Sequence, residues 1–259
     1  IVTLTTGGYI KRINPATYKI QKRGGKGIMG MKTMQDDIVE HFLCASTHDN
    51  LMFFTDSGKV FQTQVYEIPE GSRVARGRGL LNFLELSTEE KVLSLVTTTA
   101  NPSKPNKSPK GHFDGPATIP SAGLGGFLVM ITKNGRIKKT ELSAFENVRK
   151  SGIIAIKLEK GDMLKKVVKT TGEDDIILAT KNGISIRFKE KDIRPMGRGA
   201  AGVKGIRLKK GDEVIGMDVI APSNDGAKSA KQYLLIVMEN GYGKRTDVFQ
   251  YKTQGRGGS

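Results

Sequence analysis

The sequence predicts an all-β fold of propeller-like blades, each four strands in about 50 residues. Three observations predict it. One short unit recurs five times along the chain. Apolar runs of strand length end at turn residues inside each copy. No segment sustains the 3.6-residue period of an amphipathic helix; Met34 to Leu43 comes nearest, and its counterparts in the other copies look like strands.

The recurring unit is an apolar run, a turn ending in glycine, and an extended segment bearing Lys or Arg. It appears as Thr5-Thr6-Gly7-Gly8-Tyr9-Ile10-Lys11-Arg12 and Thr55-Asp56-Ser57-Gly58-Lys59-Val60-Phe61. It returns as Thr132-Lys133-Asn134-Gly135-Arg136-Ile137-Lys138, Thr180-Lys181-Asn182-Gly183-Ile184-Ser185-Ile186-Arg187 and Glu239-Asn240-Gly241-Tyr242-Gly243-Lys244-Arg245. The register glycines Gly8, Gly58, Gly135, Gly183 and Gly241 stand 50, 77, 48 and 58 residues apart. Residues 100–124, with five of the nine prolines, account for the longest interval and read as an inserted loop. Asn224 to Lys231 is a shorter polar insertion.

First strands are expected at Leu51 to Thr55, Phe127 to Thr132, Asp175 to Thr180 and Tyr233 to Glu239. The Asn-Gly pairs at 134–135, 182–183 and 240–241 favour tight hairpins with positive φ at both central residues. Second strands follow, such as Gly183 to Ile193. Gly- and Arg-rich corners come next, then third strands such as Ile153 to Leu158 or Val203 to Leu208, and fourth strands such as Lys91 to Thr98 or Val214 to Ile220. The blades are expected at 1–47, 48–99, 125–172, 173–223 and, incomplete, 232–259, within one domain.

The 259 residues carry 42 Lys plus Arg against 26 Asp plus Glu, a formal charge of +16. A folded chain so basic points to a polyanionic partner. No apolar run approaches the roughly 20 residues of a membrane span. Cys44 is the one cysteine, which excludes intramolecular disulfides; it sits in an apolar stretch and is expected to be buried. His41, His48 and His112 lack metal-ligand spacing, and no nucleophile–base–orienting set stands out, so neither catalytic nor metal-binding residues are assigned. Gly25-Lys26-Gly27-Ile28-Met29-Gly30 and Gly197 to Gly202 match Gly-x-Gly-x-x-Gly, but no helix is expected after either, against a dinucleotide site. Asp36-Asp37 and Asp174-Asp175 read as turn or surface carboxylates. Tyr9, Tyr18, Phe61, Tyr66, Phe145, Phe188, Phe249 and Tyr251 are read as packing between strands rather than stacking on bases. The chain opens at Ile1 inside a strand-like pattern without a signal peptide, and reads as a piece of a longer cytoplasmic protein.

The first corner is Gln21-Lys22-Arg23-Gly24-Gly25-Lys26-Gly27, three cations and three glycines in seven residues. Glycines let backbone N–H groups approach phosphate, Lys and Arg neutralise it, and Gln can donate to phosphate or sugar oxygens. This heptapeptide resembles the box motif of the C-terminal domain of DNA gyrase A, with Lys22 in place of the usual arginine. Gly8-Tyr9-Ile10-Lys11-Arg12 and Gly30-Met31-Lys32 also fit. Degenerate corners carry the resemblance along the chain: Arg76-Gly77-Arg78-Gly79, Arg149-Lys150-Ser151-Gly152, Gly197-Arg198-Gly199-Ala200-Ala201-Gly202 and Gln254-Gly255-Arg256-Gly257-Gly258.

The resemblance implies a β-pinwheel whose blades exchange strands with neighbours, around whose basic rim DNA wraps while an ATP-dependent type IIA topoisomerase introduces negative supercoils. It implies DNA contacts at Gln21, Lys22, Arg23, Gly24, Gly25, Lys26, Gly27, Lys11, Arg12, Arg76, Arg78, Arg149, Lys150, Arg198, Lys204 and Arg256. No cofactor is expected in this segment; ATP and Mg would bind elsewhere in the holoenzyme. The implied partners are duplex DNA, the breakage-reunion part of the same polypeptide, and gyrase B in a heterotetramer. The implied location is the bacterial cytoplasm, on the chromosome. Topoisomerase IV carries a related domain with a degraded or missing box, so the near-intact box favours gyrase. Gyrase domains usually have six blades; the four complete units and partial fifth here fit either a shortened segment or a smaller pinwheel. Two readings from other classes are a protein-binding propeller scaffold and a structured RNA-binding module.

Overall fold

The structure, a computed structural model, describes residues 1–18, 30–33, 37–98, 126–222, 232–238 and 240–258. It is all-β: seventeen strands and short 3₁₀ turns, with no α-helix among the described residues. In chain order the strands are β1 (Val2–Thr5), β2 (Tyr9–Arg12), β3 (Val39–Leu43), β4 (Asn50–Thr55), β5 (Lys59–Gln64), β6 (Arg78–Gly79), β7 (Val92–Thr98), β8 (Phe127–Thr132) and β9 (Arg136–Glu141). Then come β10 (Ile153–Ile154), β11 (Leu164–Thr170), β12 (Asp175–Thr180), β13 (Ser185–Lys189), β14 (Val203–Lys204), β15 (Val214–Ile220), β16 (Tyr233–Val237) and β17 (Gly243–Asp247).

The sheets share one plan. Each complete blade is a fourth strand, a first strand, a second strand, and then a two-residue strand from the following repeat. The orders are β3-β1-β2-β6, β7-β4-β5-β10 and β11-β8-β9-β14; a fourth sheet holds β15-β12-β13 and a fifth β16-β17. The expected third strands are therefore shorter than the sequence suggests, and they pair outside their own blade. Val203 and Lys204 pair with Ile137 and Arg136, after which Gly205 turns its N–H onto the Gly135 carbonyl and the ladder ends. The second strand expected at Gly183 to Ile193 likewise stops at Lys189, where a 3₁₀ turn takes over at Glu190–Asp192.

The chain forms two compact units, 1–124 with 147–153, and 125–146 with 154–259. In the first, Val2, Leu4, Ile10, Leu51, Phe53, Phe61, Val65 and Ile68 make one core. In the second, Val129, Ile131, Ile137, Ile176, Leu178, Ile186, Phe188, Ile206 and Met217 do so. The first strands β4, β8 and β12 are buried on both faces, which is why they read as unbroken apolar runs rather than as alternation, whereas β16 is largely exposed.

The hairpins differ from the two-residue Asn-Gly turns expected. Each turn begins one residue earlier, in four cases at a threonine whose carbonyl accepts the glycine N–H (Gly8 to Thr5, Gly58 to Thr55, Gly135 to Thr132 and Gly183 to Thr180, all at 3.0 Å) and in the fifth at Met238, which accepts from Gly241 at 2.9 Å. The closing glycine takes the left-handed conformation, φ 77° to 81°. The threonine Oγ1 is buried and accepts the next N–H, from Tyr9, Lys59, Arg136 or Ile184. An aspartate steadies three of these tips: Asp37 accepts from Gly7, Asp162 from Asn134 and Asp212 from Asn182. Asp37 and Asp174 thus serve turns, Asp174 by accepting from Thr171; Asp36 lies outside the described residues.

Cys44 is exposed, not buried. It follows the end of β3, an edge strand whose Val39 and Phe42 are also exposed, as is Ile38 just before it. Of the aromatics, Phe61, Phe145 and Phe188 are core residues, while Tyr66 and Phe249 are exposed.

Gly202 (φ 83°) closes its corner so tightly that a Cβ would stand 2.5 Å from the Ile137 carbonyl oxygen, whereas a Cβ on Gly197 would meet nothing within 4 Å. Gly202→Ala should cost about 2–4 kcal/mol, from the left-handed backbone plus the clash. Gly197→Ala should stay within about 0.5 kcal/mol. Urea unfolding of both variants checks the contrast; equal costs would show that the corner relaxes freely.

Candidate nucleic-acid interface

The Gln21–Gly27 heptapeptide lies outside the described residues. The later corners are described, and their geometry is set from behind by the second strand of the preceding blade.

Lys11, at the third position after its register glycine, is fully buried. Its Nζ donates to four carbonyls: Gly30 at 2.9 Å, Ser72 at 3.1 Å, Arg73 at 2.6 Å and Ala75 at 2.8 Å. Lys138 holds the same position after Gly135 and is also fully buried. It donates to Ala155 O at 2.7 Å and to Arg198 O. Burial, and then the Arg198 charge, pull the Lys138 ammonium down to about 8; burial and Arg73 lower Lys11 in the same direction. The two sites repeat partner by partner: Gly30 matches Ala155, and Arg73 matches Arg198.

The fourth position after the glycine faces the other side of the strand and grips the 3₁₀ turn of the next blade. Arg12 donates from Nε to Ile68 O at 2.8 Å and pairs with Glu70 at 2.8 Å. Lys139 donates to Glu190 O and lies 3.5 Å from the buried Glu190 carboxylate. Arg187 donates to Val248 O and Tyr251 O while pairing with Asp175.

The resemblance implies DNA contacts at both Lys11 and Arg12. Lys11 is corrected, because its ammonium is spent on four carbonyls in the interior, whereas Arg12 is held by a carbonyl and a carboxylate with its side chain 26% exposed. Arg76 lies with its guanidinium 3.7 Å over the Tyr9 ring, half-buried. Arg256 is half-buried too, donating to Asp192 O and Lys204 O. Arg78, Arg149, Lys150, Arg198 and Lys204 have exposed side chains. Arg78 and Lys204 ride the short strands at the sheet edge beyond β2 and β9.

Three further cations flank the corners and are not among the contacts that the resemblance implies. The backbone N–H of Lys32 donates to Val74 O, that of Lys157 to Ala200 O, and that of Arg207 to Gly258 O. All three side chains are exposed. The signal is present: Met31-Lys32, Ile156-Lys157 and Ile206-Arg207 each join a buried apolar residue to an exposed cation at the same point of the repeat. A corner thus gathers exposed cations, left-handed glycines and outward backbone on a scaffold whose own charges are internally satisfied. That chemistry suits phosphate.

A family model described as "DNA gyrase C-terminal domain, beta-propeller" matches residues 1–46, 49–99, 126–171, 174–221 and 232–259. The chain is 40% identical over 260 aligned positions to DNA gyrase A of Mycolicibacterium smegmatis, covering 100% of the chain and 27% of that protein. It is 39% identical over 258 positions to DNA gyrase A of Staphylococcus epidermidis, covering 100% of the chain and 26% of that protein. The chain thus spans about a quarter of the length of these relatives. A solved DNA gyrase A C-terminal domain superposes with a TM-score of 0.72 at 28% identity, over 99% of this chain and 74% of that one. A solved C-terminal domain of DNA topoisomerase IV gives a TM-score of 0.71 at 24% identity, over 99% and 70%, a likeness of fold.

The Lys138 ammonium generates a pH prediction. Its folded pKa of about 8 lies below the ordinary 10.5, so between those values the unfolded chain holds the proton and the folded chain does not. Stability from this group is flat below pH 8 and rises with pH across the window. In Lys138→Met that component is absent, so parent stability minus variant stability should grow by about 1 kcal/mol per pH unit. Denaturant midpoints at pH 7.5 and 9.5 measure it; a constant difference would show an unshifted lysine.

Proposed function

The chain belongs to the family of DNA gyrase C-terminal domains, and from that membership we propose that it is the DNA-wrapping domain of a type IIA topoisomerase. Duplex DNA follows the exposed cations of successive corners. The wrap has a fixed hand, which strand passage by the rest of an ATP-dependent enzyme converts into negative supercoils. Gyrase is favoured over topoisomerase IV by the gyrase names of the relatives and by the near-intact box at Gln21–Gly27.

The observation that carries this reading is the division of labour among the basic residues. Lys11, Arg12, Lys138, Lys139 and Arg187 are consumed in joining blade to blade. Arg78, Arg149, Lys150, Arg198 and Lys204, with Lys32, Lys157 and Arg207, are left exposed at or beside the corners. Such groups neutralise phosphates and release counterions without reading bases. No α-helix is present among the described residues to enter a major groove.

The reaction itself belongs to other parts of the proposed enzyme. A breakage-reunion region of the same polypeptide cuts and rejoins DNA, gyrase B supplies ATP hydrolysis with Mg, and the heterotetramer works on the bacterial chromosome in the cytoplasm. This domain's contribution is geometric. Bending 20–30 base pairs by 40–90° costs about 1–6 kcal/mol, and distributed phosphate contacts offset that cost.

The chain should bind duplexes of unrelated sequence alike. Its log affinity should fall by about 0.9 per log unit of salt for each phosphate neutralised. Titration of two unrelated duplexes across a salt series tests this; salt-independent binding or a strong preference for one sequence would overturn it. In the full enzyme, replacing Gln21–Gly27 with alanines should abolish negative supercoiling while ATP-driven relaxation persists. Wild-type supercoiling by that variant would remove the box from the wrapping path, and equal loss of both activities would assign it to the fold.

A further inference from the structure

The buried ammonium groups do more than hold blades together. Across a planar trans peptide, a carbonyl and the following N–H point in opposite directions. Lys11 draws the carbonyls of Arg73 and Ala75 inward, and Lys138 draws that of Arg198. The N–H groups of Val74, Arg76 and Gly199 must then face away from the ammonium. Among the described residues no backbone carbonyl receives any of these three. Val74 is 46% exposed, and Arg198 and Gly199 are exposed. Val74 and Arg76 flank Ala75, whose own N–H bonds Ser72 O within the turn, and Gly199 adjoins the exposed Arg198; outward amides of this kind are donors for an anion.

Resting on the wrapping function proposed above, we infer that Lys11 and Lys138 are positioning residues for DNA: by gathering corner carbonyls, Lys11 aims the amides of Val74 and Arg76, and Lys138 aims the amide of Gly199 beside Arg198, each corner at its own duplex phosphate. Neither lysine touches DNA. Each fixes the peptide planes that do. The ligand is a phosphodiester, since the donors aimed outward are backbone amides and a guanidinium, which suit phosphate oxygens and carry no base readout.

The arrangement also ranks the corners. Phe61 replaces the lysine in the second repeat and Ile186 in the fourth. Neither side chain can gather carbonyls, and the Phe61 ring instead packs against Gly152 (φ 74°), where a Cβ would stand 2.7 Å away. The corners at 71–79 and 196–204 are therefore the aimed ones, and the corner at 147–153 contributes the side-chain charges of its exposed Arg149 and Lys150 alone.

The test measures duplex DNA affinity of the full chain, with thermal unfolding in parallel. Lys138→Met, Arg198→Ala and Gly199→Pro should each weaken binding about three- to tenfold at moderate salt, the loss of one phosphate contact. Lys138→Met combined with Arg198→Ala should bind no worse than the weaker single variant by more than about twofold, because both act through one corner. Gly199→Ala, whose Cβ enters open space and whose N–H remains, should lose at least about threefold less affinity than Gly199→Pro. Multiplying penalties in the double variant, or Gly199→Pro binding like Gly199→Ala, would overturn the inference. If Lys138→Met does not fold, the comparison of Gly199→Pro with Gly199→Ala decides alone. A parent chain that binds no duplex would instead overturn the wrapping function.

Discussion

The fold depends on cations that leave their own blade. Two adjacent residues of a second strand point to opposite faces, and in this chain both reach forward into the next repeat. Lys11 takes the corner carbonyls and Arg12 the 3₁₀ turn; Lys138 and Lys139 do the same two tasks. A buried carbonyl left without a donor costs about 1–3 kcal/mol. Corners of this kind have little apolar surface to offer a core, so their backbone must be satisfied by donors brought to them. A lysine stem supplies both a hydrophobic shaft through the core and three donors at its tip.

Where the lysine is missing, packing takes over. Phe61 fills the same position with a ring that abuts Gly152, and Ile186 fills it with an aliphatic side chain inside the second core. The two solutions differ in what they specify. An ammonium fixes the direction of peptide planes, whereas a ring or methyl group fixes only volume. The same repeat can thus build corners of unequal order while keeping one sheet plan.

Much of this architecture was legible in the sequence. Strand positions followed from short apolar runs between turn residues, and Asp175–Thr180 and Val214–Ile220 begin and end where the pattern placed them. The corners were legible through glycine and arginine. What pattern could not reveal was destination. Lys11 and Arg78 look alike as letters, yet one is interior and the other exposed, because three of the four carbonyls that capture Lys11 lie more than sixty residues away in sequence. The third strands were overextended for the same reason: their partners sit in a different repeat, so nothing local shows how soon pairing ends. Asn-Gly pairs mark the hairpins but not where the turns start, because the role of Thr132 and Thr180 depends on a side-chain oxygen that no turn dipeptide reveals. Cys44 fell on the wrong side because its apolar neighbours belong to an edge strand.

Borrowed edge strands have an evolutionary consequence. A blade as seen in space is not a contiguous stretch of gene: the sheet built on β8 and β9 is finished by β14, which lies in the following repeat. Excising one spatial blade would leave a neighbour with an open ladder and would remove the carbonyls that a preceding lysine requires. The stretch that can be copied or lost cleanly runs instead from one second strand to the next, out of phase with the visible blade. Such a stretch carries away a borrowed edge, its clamp and its hairpin together, and the joint it leaves recreates the one it destroyed. Lineages that gain or lose repeats in this family should therefore show breakpoints near the register glycines, where the only local requirement is a threonine, two turn residues and a left-handed glycine.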